Sequence, residues 1–207
     1  MKIRLADIQK VENNPTEPVT LAQAKSHMRV DFTDDDAYIT SLITQARQSI
    51  EDFCNISIVT KTITAYFTYS GGDQYTFNTF NRSFIDSAYY IRPFELPFGP
   101  VTAFTSLTTL DFENNSQVLD PTNNDYYVRG AQFQTLEIVN QINGNSAAIY
   151  NTGYTTVPGN LVLAILHEIA FRFENRGDST NRYAQQNVGL SESANYLASP
   201  YKRYAWQ

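Results

Sequence analysis

The sequence is poor in the residues that most often carry chemistry. It has one cysteine, Cys54, and two histidines, His27 and His167, in 207 residues. A single cysteine excludes an intrachain disulfide, and a thiol within an apolar helical pattern is typical of a buried, inert side chain. Because soft ligands are so few and so far apart in the sequence, we expect no structural zinc site and no cofactor.

Charged residues are also scarce, at 17% of the chain, and they leave a net charge of −6. A protein that holds DNA or RNA by its phosphates needs a basic surface, so this balance argues against that class. The longest purely apolar run, Leu161–Leu166, is much too short to span a bilayer. The N-terminal residues contain no secretion signal, so we expect a protein of the reducing cytoplasm with no membrane partner.

Catalytic signatures are missing as well. His167 and Glu168 begin the H-E-x-x-H zinc pattern, but Phe171 stands where the second histidine belongs. The sequence has no nucleophile elbow, no phosphate-binding loop and no dinucleotide-binding glycine pattern. We therefore expect a protein that is not an enzyme, in which His167 is a core or interface residue.

One acidic cluster stands out, in the stretch "DFTDDDAYI" that begins at Asp31. It lacks the central glycine and the alternating oxygen ligands of a calcium loop. Acidic residues at the start of a helix are favoured by the helix dipole, and Thr33 or Asp34 can cap a helix there. We therefore interpret Thr33, Asp34, Asp35 and Asp36 as a helix N-cap cluster. A metal-binding or catalytic role is the alternative.

Apolar periodicity predicts three helices. Thr20 and Gln23 form a capping box before a short helix that ends near Val30. A long apolar stripe predicts a second helix over Asp34–Cys54, with Asn55 as its stop. The third, Leu161–Phe173, is apolar nearly all round in its first half, so several surfaces must cover it.

Between the second and third helices the period changes to two, and β-branched and aromatic residues predominate. The fold class predicted is α+β: two N-terminal helices and one C-terminal helix packed together, with an inserted antiparallel β unit and an extended C-terminal tail. We expect one domain, divided into a leader 1–17, a helical pair 18–57, a β-rich insertion 58–157, a long helix 158–178, and a loop and tail 179–207.

The order of the predicted elements and motifs along the chain matches that of a known family. "PVTL" is followed by a short helix, an "RVD" link, the acidic run, a long helix and a strand, and later come "LPFGPVTAFTSL", "TGYTTVPGNLVLAILHEIAFRFENRGD" and "LASPYKRY". This ordered set resembles the head–tail connector proteins of tailed phages, which are also called portal adaptors or head-completion proteins. Residues 70–90 resemble an insertion relative to shorter members of that family.

The resemblance implies a structural virion protein at the head–tail junction, or neck, assembled in the host cytoplasm. It also implies a homo-oligomeric ring, typically of twelve copies, that joins the portal protein to a tail or stopper protein. Genomic DNA would pass through the lumen without specific binding, and a net negative charge suits such a conduit.

Two surfaces are candidates for assembly. The resemblance implies that the C-terminal segment docks on the portal, and its aromatic and basic residues are of the kind enriched in interface hot spots, although the tail can instead pack on its own domain. Its members are Tyr196, Tyr201, Lys202, Arg203, Tyr204 and Trp206. The all-round apolar helix predicts a ring interface, with intrachain packing as the equal alternative. Its members are Leu161, Ile165, Ile169 and Phe173.

Other function classes stay open at this point. The abundance of aromatic residues and asparagine also fits a carbohydrate-binding β module, or another tail or baseplate component. An enzyme that uses the aspartates and His167 is the third possibility. A glycan array and replacement of Asp34–Asp36 by asparagine separate these alternatives from a connector.

Overall fold

The computed structural model describes residues 2–12, 16–70, 94–110, 115–131, 133–138, 143–176 and 190–203. The chain divides into two compact units. The sheet unit consists of Met1–Asn13, Lys61–Thr152 and Trp206–Gln207, and the helical unit consists of Asn14–Thr60 and Gly153–Ala205. The predicted insertion at 70–90 lies almost wholly outside the described residues.

The sheet unit contains two antiparallel sheets. The first has five strands in the order β1-β2-β8-β4-β5, and the second has three in the order β3-β7-β6. The strands are β1 Lys2–Glu12, β2 Lys61–Ser70, β3 Phe94–Glu95, β4 Val101–Leu110, β5 Ser116–Leu119, β6 Tyr126–Arg129, β7 Thr135–Ile138 and β8 Asn143–Thr152.

Alternating side chains of β2 and β8 form much of the core of the sheet unit. Ile63 pairs with Tyr150 and Ala65 pairs with Ala148, and all four are buried. This alternation is the period of two seen in the sequence, since successive residues of a strand point to opposite faces. The Tyr150 hydroxyl donates to the carbonyl of Pro97 at 3.0 Å, so the one polar atom of that side chain is satisfied.

The helical unit is built on mutual packing of four helices. The third packs against the other three. Their bounds are α1 Leu21–Met28, α2 Asp36–Cys54, α3 Gly159–Glu174 and α4 Glu192–Ala198, and a 3-10 turn, Ser199–Tyr201, follows α4. The apolar residues that α2 buries lie along one face of the helix, as its apolar stripe predicts: Ile39, Leu42, Ile43, Ala46, Ile50 and Cys54.

Several local predictions are confirmed. The α+β class with antiparallel sheets is correct. Thr20 and Gln23 form the capping box, with the Gln23 N–H donating to Thr20 Oγ1 at 3.2 Å and the Thr20 N–H donating to Gln23 Oε1 at 2.9 Å. Asn55 ends α2 in the left-handed conformation, at φ 55°.

Other expectations need correction. The leader 1–17 contributes a strand to the β unit, because Lys2–Glu12 pairs along its length with β2, from Lys2 opposite Ser70 to Glu12 opposite Lys61. The C-terminal tail is helical rather than extended over Glu192–Tyr201. The single connector-type domain with its five segments stays a prediction.

Candidate functional site

The acidic cluster lies at the start of α2, where Asp35 is the N-cap residue and Asp36 is in the first turn. The helix begins at Asp36, two residues later than expected, and the side chain of the N-cap residue Asp35 makes no capping hydrogen bond. Asp36 instead accepts from Lys25 Nζ at 2.6 Å, which ties the start of α2 to α1. Asp35 accepts from Arg176, after α3, at 3.1 Å and 2.6 Å.

The guanidinium of Arg176 contacts two aromatic rings as well as the carboxylate of Asp35. It lies 4.5 Å from the ring centroid of Tyr38 and 4.1 Å from that of Phe173. A planar guanidinium can stack on aromatic faces while its N–H groups donate to a carboxylate. The hydrogen bond from Arg176 holds the pKa of Asp35 below its usual range. The cluster therefore joins helices, which is a structural task.

A second ionic network is centred on Arg47 of α2. Arg47 is completely buried and donates to Glu51 Oε2 at 2.7 Å and to Glu17 Oε2 at 2.9 Å. The other oxygen of Glu51 accepts the backbone N–H groups of Ile58 and Val59, at 2.6 Å and 3.3 Å. Glu51 thus fixes the chain where it leaves α2, because a buried carboxylate must be paired and hydrogen-bonded.

A second buried carboxylate positions α4. Glu168, in the middle of α3, accepts the backbone N–H of Ser191 at 2.8 Å, and Ser191 is the N-cap of α4. Its other oxygen accepts from Arg172 at 2.8 Å, and Arg172 also donates to Ser49 on α2 at 2.8 Å. Both oxygens of Glu168 therefore hold segments of the helical unit together.

Some residues of the predicted portal-docking segment pack on the subunit itself, and others do not. Ala198, Lys202 and Arg203 contact the end of α2: the Arg203 N–H donates to the Cys54 carbonyl at 2.7 Å, and Lys202 Nζ lies 4.1 Å from the ring centroid of Phe53. The Cys54 thiol donates to the Ala198 carbonyl at 3.4 Å. This part of the tail follows the alternative reading, in which it packs on its own domain.

Tyr196 behaves differently from the rest of that segment. It lies on α4 and its side chain is 80% exposed, the largest exposure among the large hydrophobic residues that the structure describes. Tyr201 is half-buried in the 3-10 turn. Tyr204 and Trp206 lie outside the described residues. Among the described residues of the predicted segment, Tyr196 is the one whose aromatic side chain is largely exposed.

The predicted ring interface needs revision. Leu161, Ile165 and Ile169 have no exposed surface, because they form the core of the helical unit, and Phe173 is half-buried. Three of the four predicted interface side chains are therefore buried within the subunit and cannot contact a neighbouring subunit. The exposed apolar residues of α3 are Leu163 at 39% and Phe171 at 42%, which sequence periodicity alone did not separate from the core.

The two histidines meet at the contact between α1 and α3. The ring centroids of His27 and His167 are 5.2 Å apart and the rings are perpendicular. Among the residues that the structure describes, no three or more histidine, cysteine, aspartate or glutamate side chains are grouped to hold a metal ion. In the same part of the chain, none of the helices combines the length and hydropathy needed to cross a membrane.

Part of the chain matches a known protein family. Residues 18–119, about half of the chain, match the family described as Phage gp6-like head-tail connector protein. This confirms the resemblance to tailed-phage connectors that the sequence motifs indicate. No curated protein sequence matches the chain.

Solved structures extend the likeness over nearly the whole fold. A chain in the neck of an empty gene transfer agent (GTA) particle, computed with C6 symmetry, has a TM-score of 0.68 at 15% identity and covers 97% of both chains. A chain in the virion of a native GTA particle has a TM-score of 0.67 at 15% identity and covers 96% of both. A chain in a native GTA neck, computed with C12 symmetry, has a TM-score of 0.64 at 15% identity and covers 97% of both.

Proposed function

We propose that this chain, which matches the Phage gp6-like head-tail connector protein family over residues 18–119, is a structural protein of the phage neck. The observation that carries the proposal is the likeness of fold, over 97% of both chains, to a chain from a GTA neck. Its place is the virion head–tail junction, and its assembly takes place in the host cytoplasm.

The subunit forms a ring of twelve copies that joins the portal protein to a tail or stopper protein. Support for this number comes from the C12 symmetry with which one similar neck was computed. A heterologous contact between neighbouring subunits closes into a ring when its rotation allows. The exposed apolar residues of α3, Leu163 and Phe171, are available for such a contact, whereas Ile165 and Ile169 are buried in the subunit.

Genomic DNA passes through the lumen without specific binding. The net charge of −6 supports this part of the proposal, because a conduit for DNA must not hold the phosphates that move through it. The carboxylates of the helical unit support a structural role. Glu51 accepts from the backbone of Ile58, Glu168 accepts from the backbone of Ser191, and Asp35 accepts from the side chain of Arg176. Each carboxylate therefore joins two parts of the chain.

Portal docking centres on Tyr196. An exposed tyrosine on a short helix offers a large, rigid contact area, and tyrosine is enriched among interface hot spots. Lys202 and Arg203, the two described basic residues of the segment, both contact the end of α2. They therefore hold the segment on its own subunit.

Co-purification with the portal protein tests this function. The unmodified chain should be retained by immobilised portal, and Tyr196→Ser should lose retention while its melting temperature is unchanged. Tyr66→Ser, at a tyrosine that is 39% exposed in the sheet unit, serves as the matched control and should be retained. Equal retention of the Tyr196→Ser variant contradicts docking through α4, and no retention of the unmodified chain contradicts the connector function.

A further inference from the structure

The two histidines of the chain are 140 positions apart in sequence and adjacent in space. His27 lies near the end of α1 and is exposed, and His167 lies in the middle of α3 and is half-buried. Packing of α1 against α3 brings the two rings to the surface of the helical unit. Nothing in the connector function described above makes use of this pair.

The separation of the two rings fits a shared metal ion. Imidazole nitrogens bind Zn²⁺ at about 2.0–2.1 Å in a tetrahedral arrangement, which places two ring centroids roughly 5 Å apart. The observed separation is 5.2 Å. The perpendicular rings are not stacked, and the broad χ2 preference of histidine lets each ring turn a nitrogen toward a common point.

We propose that His27 and His167 form a two-imidazole chelate for a divalent transition-metal cation, of which Zn²⁺ is the probe of choice. The ion links α1 to α3, and water completes its coordination. A structural zinc site would need four protein ligands, and the described residues supply no third one here. The site is therefore an exchangeable surface chelate.

The experiment uses the full chain without a polyhistidine tag, stripped of metal with EDTA. Because there are two histidines, the proton NMR spectrum contains two sets of imidazole signals, and both can be followed during a Zn²⁺ titration. The chelate predicts that both sets move together and saturate at one ion per chain. Signals that respond at different Zn²⁺ concentrations would overturn the proposal, since they would report two independent surface imidazoles.

Single substitutions give the second readout. His27→Gln and His167→Gln should each weaken Zn²⁺ binding about a hundredfold, because either one removes the intramolecular second ligand. Ser26→Gln, at the exposed position beside His27, leaves both rings in place and should bind Zn²⁺ as the unmodified chain does. Affinity retained by either histidine variant contradicts the chelate. If a variant fails to fold, the joint movement of signals in the unmodified chain decides the question alone.

Discussion

The guanidinium of Arg176 donates to both carboxylate oxygens of Asp35, and this pair joins the residues after α3 to the N-cap of α2. Tyr38 and Phe173 pack on the same guanidinium. The contact changes the interpretation of the acidic cluster. Asp35 and Asp36 lie at a helix start, as expected, but they accept hydrogen bonds from cations, Arg176 after α3 and Lys25 of α1.

Asp35→Asn should lower the stability of the protein at neutral pH. The folded state lowers the pKa of Asp35, chiefly through the hydrogen bond from Arg176, so the ionised carboxylate favours folding. This contribution is fully present above the unfolded value of 3.8 and is lost as the pH falls through the lower folded value. Urea unfolding of both proteins across the acid range measures the difference.

Asp34→Asn is the matched control, because Asp34 is the exposed neighbour in the same cluster. It should leave the free energy of unfolding nearly unchanged. A difference between Asp35→Asn and the unmodified protein that persists undiminished in strong acid would show that the ion pair with Arg176 is not its cause.

Glu51→Ala should be severely destabilising. It leaves the buried guanidinium of Arg47 without one of its two carboxylates and the N–H groups of Ile58 and Val59 without their acceptor. Removal of one partner of a buried ion pair costs about 3–5 kcal/mol. Denaturant unfolding checks this, with Gln48→Ala on the exposed side of α2 as a control that should change stability by under about 0.5 kcal/mol.

Cys54 should resist thiol reagents in the folded protein. Burial raises the pKa of its thiol to about 12, and the thiol donates to the Ala198 carbonyl. Because the thiolate is the reactive form, a folded subunit should react with a disulfide reagent far more slowly than the chain in denaturant. Equal rates would contradict the docking of residues 198–203 on the end of α2.

The predictions from sequence succeed where local chemistry decides the structure. Thr20 and Gln23 specify a helix start through their own side chains, and Asn55 specifies a helix end through its backbone preference. The apolar stripe of α2 is long enough to determine the buried face by itself. These features need no knowledge of distant partners.

Predictions fail where the partner is remote in sequence. The strand β1 is defined by pairing with β2, some fifty residues later, so the sequence alone identifies these residues only as part of a leader. Asp35 pairs with Arg176 and His27 meets His167 only because α1, α2 and α3 pack together. On α3, apolar residues surround the helix, so sequence could not separate the buried Ile165 from the exposed Leu163.

The two faces of α3 should respond differently to substitution. Ile165→Ala removes a fully buried side chain and should cost about 2–5 kcal/mol of stability. Leu163→Lys combined with Phe171→Lys changes exposed positions, so the subunit should remain folded by circular dichroism but lose its ability to form a ring. Size-exclusion chromatography with light scattering measures the oligomer. Rings that persist in the double variant would place the subunit contact elsewhere.

The most direct test of the account is native mass spectrometry of the chain, alone and co-expressed with its portal protein. We predict a ring of twelve copies, formed either by the chain alone or on the portal. A chain that stays monomeric in both samples and does not associate with the portal would contradict the proposed function.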